Sequence, residues 1–283
     1  DTSIRTPLTH PAPDARMQVH ELGEGPAEVA VVGAIHGDEP CGASAVERLI
    51  EEAPAVERAV KLIVANEEAL AADERYLEAD LNRSFPGDPD ADTHEERLAH
   101  RLHAELDGCT TLAIHSTQSY AEPFAVVDSM DEVARAVAPH LPVDAVVQTD
   151  AITEGRLIEQ PHTLEIEAGL QGSTEAADNA YWVTRAFLAA TGVLAVPAAD
   201  GVVDAGGREA VPVFRLHERI PKPAATEYNV FAHNFERVEA GERFATADGE
   251  PVRAETDFYP VLLSAEGYRD QFGYVAERVG VLE

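Results

Sequence analysis

The sequence predicts an α/β fold: a mixed sheet flanked by helices, followed by a smaller β-rich module. Three observations predict it. Up to about residue 195, short β-branched apolar runs alternate with segments of helical period. Beyond that point the pattern changes to short strand-like segments parted by turn signals. The length, 283 residues with 45% hydrophobic content, suffices for one large domain or two smaller ones.

The elements follow in order. Residues 1–20 read as a polar lead-in with a short strand near Met17–His20. A strand is expected over 28–35, where the apolar run Val29-Ala30-Val31-Val32-Gly33-Ala34-Ile35 is too short and too β-branched for a helix and fits a sheet interior. A helix is expected over 41–53 and a strand over 59–65. The helix over 93–107 has the strongest local support. Thr93 and Glu96 form a capping box, and Leu98, Leu102 and Leu106 fall on one face. Strands at 110–115 and 124–128, a helix at 130–138, strands at 143–148 and 162–167, and a helix at 174–191 continue the alternation. Residues 196–208, with Pro197, Gly201, Gly206 and Gly207, read as a connector. Strand-like segments then occur at 210–217, 227–234, 243–246, 251–254 and 259–263, with Asp248-Gly249 as a hairpin signal. The expected division is a first domain over 1–204 and a β-rich module over 205–283.

Net charge is −31, and of 21 basic residues only Lys61 and Lys222 are lysine. The carboxylates are spread between regular apolar segments rather than gathered in a tail, which argues against disorder. Such a surface suits molar salt, where screening shortens charge repulsion to about 3 Å. The cytoplasm of an extreme halophile is therefore the expected setting. No basic patch invites nucleic acid. No apolar run approaches the roughly 18 residues of a membrane span, and no signal-peptide core opens the chain. The chain begins at Asp1 rather than Met, so a trimmed N-terminus is expected. Cys41 and Cys109 do not belong to a Cys-x-x-Cys pair or a disulfide framework. The oligomeric state stays open, a homo-oligomer included.

Three stretches carry chemistry. His36-Gly37-Asp38-Glu39 follows the first long apolar run, and His115-Ser116-Thr117 ends the run Thr110–Ile114. Two His and one Glu form a common catalytic zinc shell with one position left for water. His-x-x-Glu alone fits two solvated loop residues equally well. Placement tips the balance, because ligands of α/β sheets bind beyond the carboxyl ends of strands. Asp80-Leu81-Asn82-Arg83 lies in a loop. There Arg83 offers a planar fork for a carboxylate, Asn82 a further hydrogen bond, and Asp80 an anchor for the arginine. A plain surface ion pair is the competing reading. Arg75 is a candidate cation for an oxyanion. In Thr163–Gly169, alternation puts Glu165 and Glu167 on one face of a strand. Glu167, nearer the end, is the candidate general base; a solvated edge strand is the alternative. His100 and His103 have helical spacing but lie off the apolar face, so they read as solvated.

Together these residues resemble the aspartoacylase/succinylglutamate desuccinylase family, zinc-dependent relatives of the metallocarboxypeptidases. The resemblance runs from about residue 28 to residue 274. Gly33-x-x-His36-Gly37-Asp38-Glu39 and His115-Ser116-Thr117 resemble its two zinc motifs, Asp80-Leu81-Asn82-Arg83 its substrate-carboxylate motif, and Glu167-Ala168-Gly169 its base motif. Arg75-Tyr76 falls where the family carries an arginine near the scissile carbonyl. Tyr259-Pro260-Val261 with Tyr268 resembles the aspartoacylase branch, and Arg156 falls roughly where that branch has another carboxylate-binding arginine. Gln271 stands where the branch tends to have lysine. The resemblance implies a carboxypeptidase-like α/β hydrolase domain whose cleft is capped by the β-rich module. It also implies Zn2+ on His36, Glu39 and His115, and an N-acyl amino acid as substrate. Two other readings stay open: a metallocarboxypeptidase acting on short peptides, and a non-catalytic zinc-stabilised binding protein.

Overall fold

A computed structural model describes residues 16–150, 152, 157–195 and 210–283. The connector expected at 196–208 and Arg156 lie outside the described residues. The strands are β1 (Gln18–Leu22), β2 (Val29–Gly33), β3 (Val60–Val64), β4 (Thr110–Thr117), β5 (Phe124–Val127), β6 (Val146–Gln148) and β7 (Thr163–Leu170), then β8 (Val211–Pro221), β9 (Tyr228–Val230), β10 (Arg243–Ala247), β11 (Glu250–Arg253), β12 (Tyr259–Val261) and β13 (Gln271–Leu282). The α-helices are α1 (Cys41–Glu52), α2 (Glu67–Ala72), α3 (His94–Leu106), α4 (Glu132–Val137) and α5 (Thr174–Ala190). No described helix is long and apolar enough to cross a membrane.

Ten strands form one mixed sheet in the order β1-β3-β2-β4-β7-β5-β6-β8-β13-β12, and β11-β10-β9 form a second, antiparallel sheet. The centre, β3-β2-β4-β7, is parallel. Both of its faces are covered, which explains the unbroken apolar runs. In β2, Val29 and Val31 pack into the core beneath α1 and α5, while Ala30 and Val32 pack into the core beneath α3. The α3 stripe behaves as its period predicts: Leu98 and Leu102 are fully buried. The Thr93 hydroxyl oxygen accepts the Glu96 N–H at 3.3 Å, and its own O–H donates to the Glu96 carboxylate at 2.6 Å. The reciprocal arm of the capping box is thus a side-chain pair rather than a bond to the Thr93 N–H.

Three differences from the sequence reading have physical causes. The long strand β13 was not expected, because its register against β8 shifts three times, at Gln271/Gly273, Val275/Ala276 and Arg278/Gly280. Each bulge breaks the two-residue period that reveals a strand. Helix α2 was also unexpected: six residues are too few to show a helical period. Finally, β7 is central, between β4 and β5, so the edge-strand alternative for Glu165 and Glu167 does not hold. The segments after residue 205 divide between the two sheets. Strands β8, β13 and β12 extend the main sheet, and β9, β10 and β11 form the second. Asp248 and Gly249 make the expected hairpin turn, both with positive φ (48° and 82°).

Candidate active site

The site sits at the carboxyl ends of β2, β4 and β7. The chain leaves β2 through Ala34, held at φ 54°, and turns towards α1. Gly37 lets this turn press against α2, since a Cβ there would meet the Ala69 carbonyl carbon at 2.1 Å. The turn presents His36 and Glu39 on one side. His115 lies within β4, two residues before its end, rather than just past it. All three side chains are buried.

Glu39 bridges the two histidines. Its Oε1 lies 2.9 Å from His36 Nδ1 and its Oε2 lies 3.0 Å from His115 Nδ1. The Ser116 backbone N–H donates to Oε2 at 3.2 Å, and Arg75 donates to Oε1 at 3.0 Å. One ligand atom from each of His36, Glu39 and His115 falls within 4.8 Å of the others, the sole such group among the described residues. Two imidazole nitrogens and a carboxylate oxygen converging out of solvent are the donor set of a catalytic zinc site. The outer side fits as well. His36 Nε2 lies 3.1 Å from Asp80 Oδ1, an outer carboxylate of the kind that orients metal-ligating imidazoles.

Electrostatics follow from this crowding. Burial pulls the His115 imidazole down, but the Glu39 hydrogen bond and charge, with Glu165 and Glu167 behind, outweigh it and lift it to about 9. Burial also works against ionised Glu39, yet the two histidines hold it well below the usual carboxylate range. Asp80 is held low too: His36, Arg75 and Arg83 together outweigh its burial. Glu167 behaves oppositely. Burial drives its carboxyl up, His115 opposes, and Glu39 and Glu165 add to the rise, leaving it at about 7. Its Oε2 is shielded from solvent with no hydrogen-bond partner.

Glu167 pairs in register with His115 across neighbouring parallel strands, so the two side chains share one face. Glu165 is on that face as well. Its Oε1 lies 3.9 Å from His115 Nε2 and accepts from Asn82 at 3.4 Å. Asn82 also accepts the Leu157 N–H at 3.4 Å. Arg75 lies 3.5 Å and Arg83 3.8 Å from Asp80 Oδ2, and both are part-exposed. Tyr268 packs on the apolar cluster containing Phe124, the residue paired with Glu167 on the other side of β7. Burial, then Tyr274 and Glu167, push its phenol well above the usual value. His36, Glu39, His115, Glu167, Arg75, Asn82, Arg83 and Tyr268 therefore gather in one region. His100 is exposed, and His103 takes no part in the group.

Sequence reasoning missed two supports. Asp80 was read as an anchor for arginine, but it also holds His36. Glu95, fully buried on α3, accepts the backbone N–H groups of Leu77 at 2.7 Å, Glu78 at 3.1 Å and Ala79 at 3.0 Å, and the Asn66 amide at 3.3 Å. It fixes the segment between Arg75 and Asp80. No local pattern announces such a role, because the groups Glu95 binds are backbone N–H groups 16–18 residues earlier and a side-chain amide 29 residues earlier.

Comparison with known proteins bears on the family and the fold. A family model described as the succinylglutamate desuccinylase/aspartoacylase catalytic domain matches residues 26–178. No curated protein sequence matches the chain. Among solved structures, a succinylglutamate desuccinylase/aspartoacylase from Rhodobacter sphaeroides is similar at TM-score 0.73 and 22% identity, covering 93% of this chain and 89% of that one. The ectoine utilization protein from Ruegeria pomeroyi, in a product-bound structure, is similar at TM-score 0.73 and 20% identity, covering 94% and 88%. Murine aminoacylase 3 is similar at TM-score 0.68 and 20% identity, covering 92% and 98%. At these identities the structures show a shared fold.

Proposed function

The chain belongs to the succinylglutamate desuccinylase/aspartoacylase family, a family of deacylases, and from that premise we infer that it is a zinc-dependent amidohydrolase removing an acyl group from an N-acyl amino acid. The observation that carries the reading is the convergence of His36, Glu39 and His115 beside Glu167, a buried carboxyl poised at about 7 with one oxygen unpartnered. The names succinylglutamate desuccinylase/aspartoacylase and aminoacylase 3, carried by two of the similar structures, support the same class of substrate.

His36 Nδ1, Glu39 and His115 Nδ1 would hold the ion. Zinc bound there supplies a Lewis acid and lowers the pKa of water towards about 7. Glu167 would take the proton of the attacking water and pass it to the leaving amine, a role suited to a carboxyl whose pKa lies near neutrality. Arg75, beside Glu39, would donate to the carbonyl oxygen as it gains charge. Asn82, Arg83 and Tyr268, with Arg156, would hold the amino-acid carboxylates. The products are a carboxylic acid and a free amino acid.

Elemental analysis combined with a panel of N-acetyl amino acids, N-succinyl amino acids and short peptides tests the reading. The expected result is about one zinc per chain, lost in His36→Ala and His115→Ala, and turnover confined to N-acyl amino acids. Cleavage of peptides alone would shift the assignment to a carboxypeptidase. Full metal content in both variants would sink the ligand set.

A further inference from the structure

Only two lysines remain in this arginine-rich chain, and Lys222 occupies a demanding position. It follows the last residue of β8. Its backbone N–H donates to the Asp270 carbonyl at 2.9 Å. Its ammonium turns inward and donates to two carbonyls of one loop, Ala265 at 2.7 Å and Tyr268. The same nitrogen lies 4.9 Å from the Tyr228 ring centroid and 5.7 Å from that of Phe272. No carboxylate lies within ion-pair distance of it among the described residues. A compact ammonium with three donors fits between two carbonyls and two ring faces, where a flat guanidinium fork would not.

The loop that Lys222 grips is otherwise fastened at its base. The Ser264 N–H donates to the Phe272 carbonyl at 2.8 Å, and the Ser264 hydroxyl oxygen accepts the N–H groups of Glu266 and Gly267. Buried Asn234 accepts the Leu263 N–H at 2.8 Å and donates to the Ser119 carbonyl at 2.7 Å, tying the loop to the segment after β4. The loop's far end carries Tyr268, whose ring meets Tyr274 edge-on at 6.1 Å and packs on the cluster of Phe124. Ser264, Ala265 and Glu266 line a cleft of about 610 Å³ together with Gln118 and Tyr228. One short loop thus walls this cleft and carries a tyrosine onto the cluster of Phe124. Lys222 makes the bond that reaches the Tyr268 backbone itself.

We propose that Lys222 is a positioning residue: by holding the Ala265 and Tyr268 carbonyls it sets Tyr268 against the site, and so governs how firmly the carboxylate of the N-acyl amino acid is gripped. The inference rests on the substrate role assigned to Tyr268 above. Because Tyr268 would grip the substrate before and during the reaction alike, the loss should fall on KM rather than kcat.

The test uses the full-length zinc-loaded protein in molar KCl, with N-acetyl-L-aspartate and N-succinyl-L-glutamate as probes. Lys222→Met is expected to raise KM for the hydrolysed probe about tenfold, the scale of a lost charged hydrogen bond, with kcat within about twofold and metal content unchanged. Lys222→Gln, which keeps a donor, should fall between Lys222→Met and the parent. In a Tyr268→Phe background the Lys222→Met effect should largely vanish. An unchanged KM, or a Lys222→Met effect that persists in full without the Tyr268 hydroxyl, would overturn the proposal. Hydrogen exchange supplies a readout independent of substrate: peptides spanning 262–272 should exchange faster in Lys222→Met while those of α3 keep their protection. Unchanged protection over 262–272 overturns the proposal whether or not either probe is hydrolysed. A parent enzyme that hydrolyses neither probe counts instead against the N-acyl amino acid reading.

Discussion

Two carboxylates on one strand face, two residues apart, end in different surroundings. Glu165 Oε1 accepts from Asn82 and approaches His115, whereas Glu167 keeps an unpartnered oxygen. That difference ranks them. Glu167→Gln should retain zinc and lose about 10²–10⁴ in kcat, the usual contribution of a general base. Glu165→Gln should be milder in kcat and should act partly through zinc affinity, because Glu165 faces the outer nitrogen of His115. Steady-state kinetics with metal analysis would check the pair, and the reverse ranking would mean that the base is Glu165. Arg83 gives a second residue-scale prediction. Arg83→Lys keeps the charge but removes the planar fork, so kcat/KM for the best N-acyl amino acid should drop, by about tenfold if two hydrogen bonds become one. An unchanged value would refute a carboxylate clamp at this position.

Helix α3 serves the site from behind. Its apolar stripe locks it to the sheet, and truncating Leu102 to Ala should cost about 2–5 kcal/mol. Its first turn carries Glu95, which collects three backbone N–H groups from the segment joining Arg75 to Asp80. Burial would raise the Glu95 pKa, but the bonds from Leu77, Ala79, Asn66 and Glu78 outweigh it and hold it below the usual value. A folded pKa depressed in this way adds stability above the unfolded value, and that stability is lost as pH falls through the folded one. Glu95→Gln should therefore lower stability near neutrality by about 1–3 kcal/mol, since an amide nitrogen cannot accept. It should also flatten the acid limb of the stability curve. Denaturant melts from neutral to acidic pH would check both. An acid limb as steep as the parent's would show that Glu95 does not titrate with folding.

For the whole molecule, charge dominates. Fifty-two acidic residues face 21 basic ones, and their repulsion opposes the compact state. Raising salt from 0.1 M to 1 M shortens the screening length from about 10 Å to about 3 Å. We propose that the fold is adapted to molar salt, so that its melting midpoint climbs steeply across a KCl series and the low-salt protein partly unfolds. A midpoint that stays flat over that series would contradict halophilic adaptation and leave the hydrolase reading untouched, which rests on the site residues.

The sequence by itself determined what short-range physics can write. Runs such as Val29–Ile35 declare buried strands because both faces of the parallel centre are covered. Thr93 with Glu96, and Asp248 with Gly249, declare a helix start and a hairpin, because their geometry closes within four residues. Alternation alone placed Glu165 and Glu167 on one face, and the ends of two apolar runs brought His36, Glu39 and His115 under suspicion. Only the tertiary structure decided the partners that stand far apart in sequence: Asp80 behind His36, Glu95 beneath the Arg75–Asp80 segment, and Lys222 on the Tyr268 loop. It also decided β13, whose bulges are tolerated because β8 supplies a partner on which the ladder can shift register. These contacts have no period and no fixed spacing, since each depends on which strand lies next to which, and that follows from packing the whole sheet.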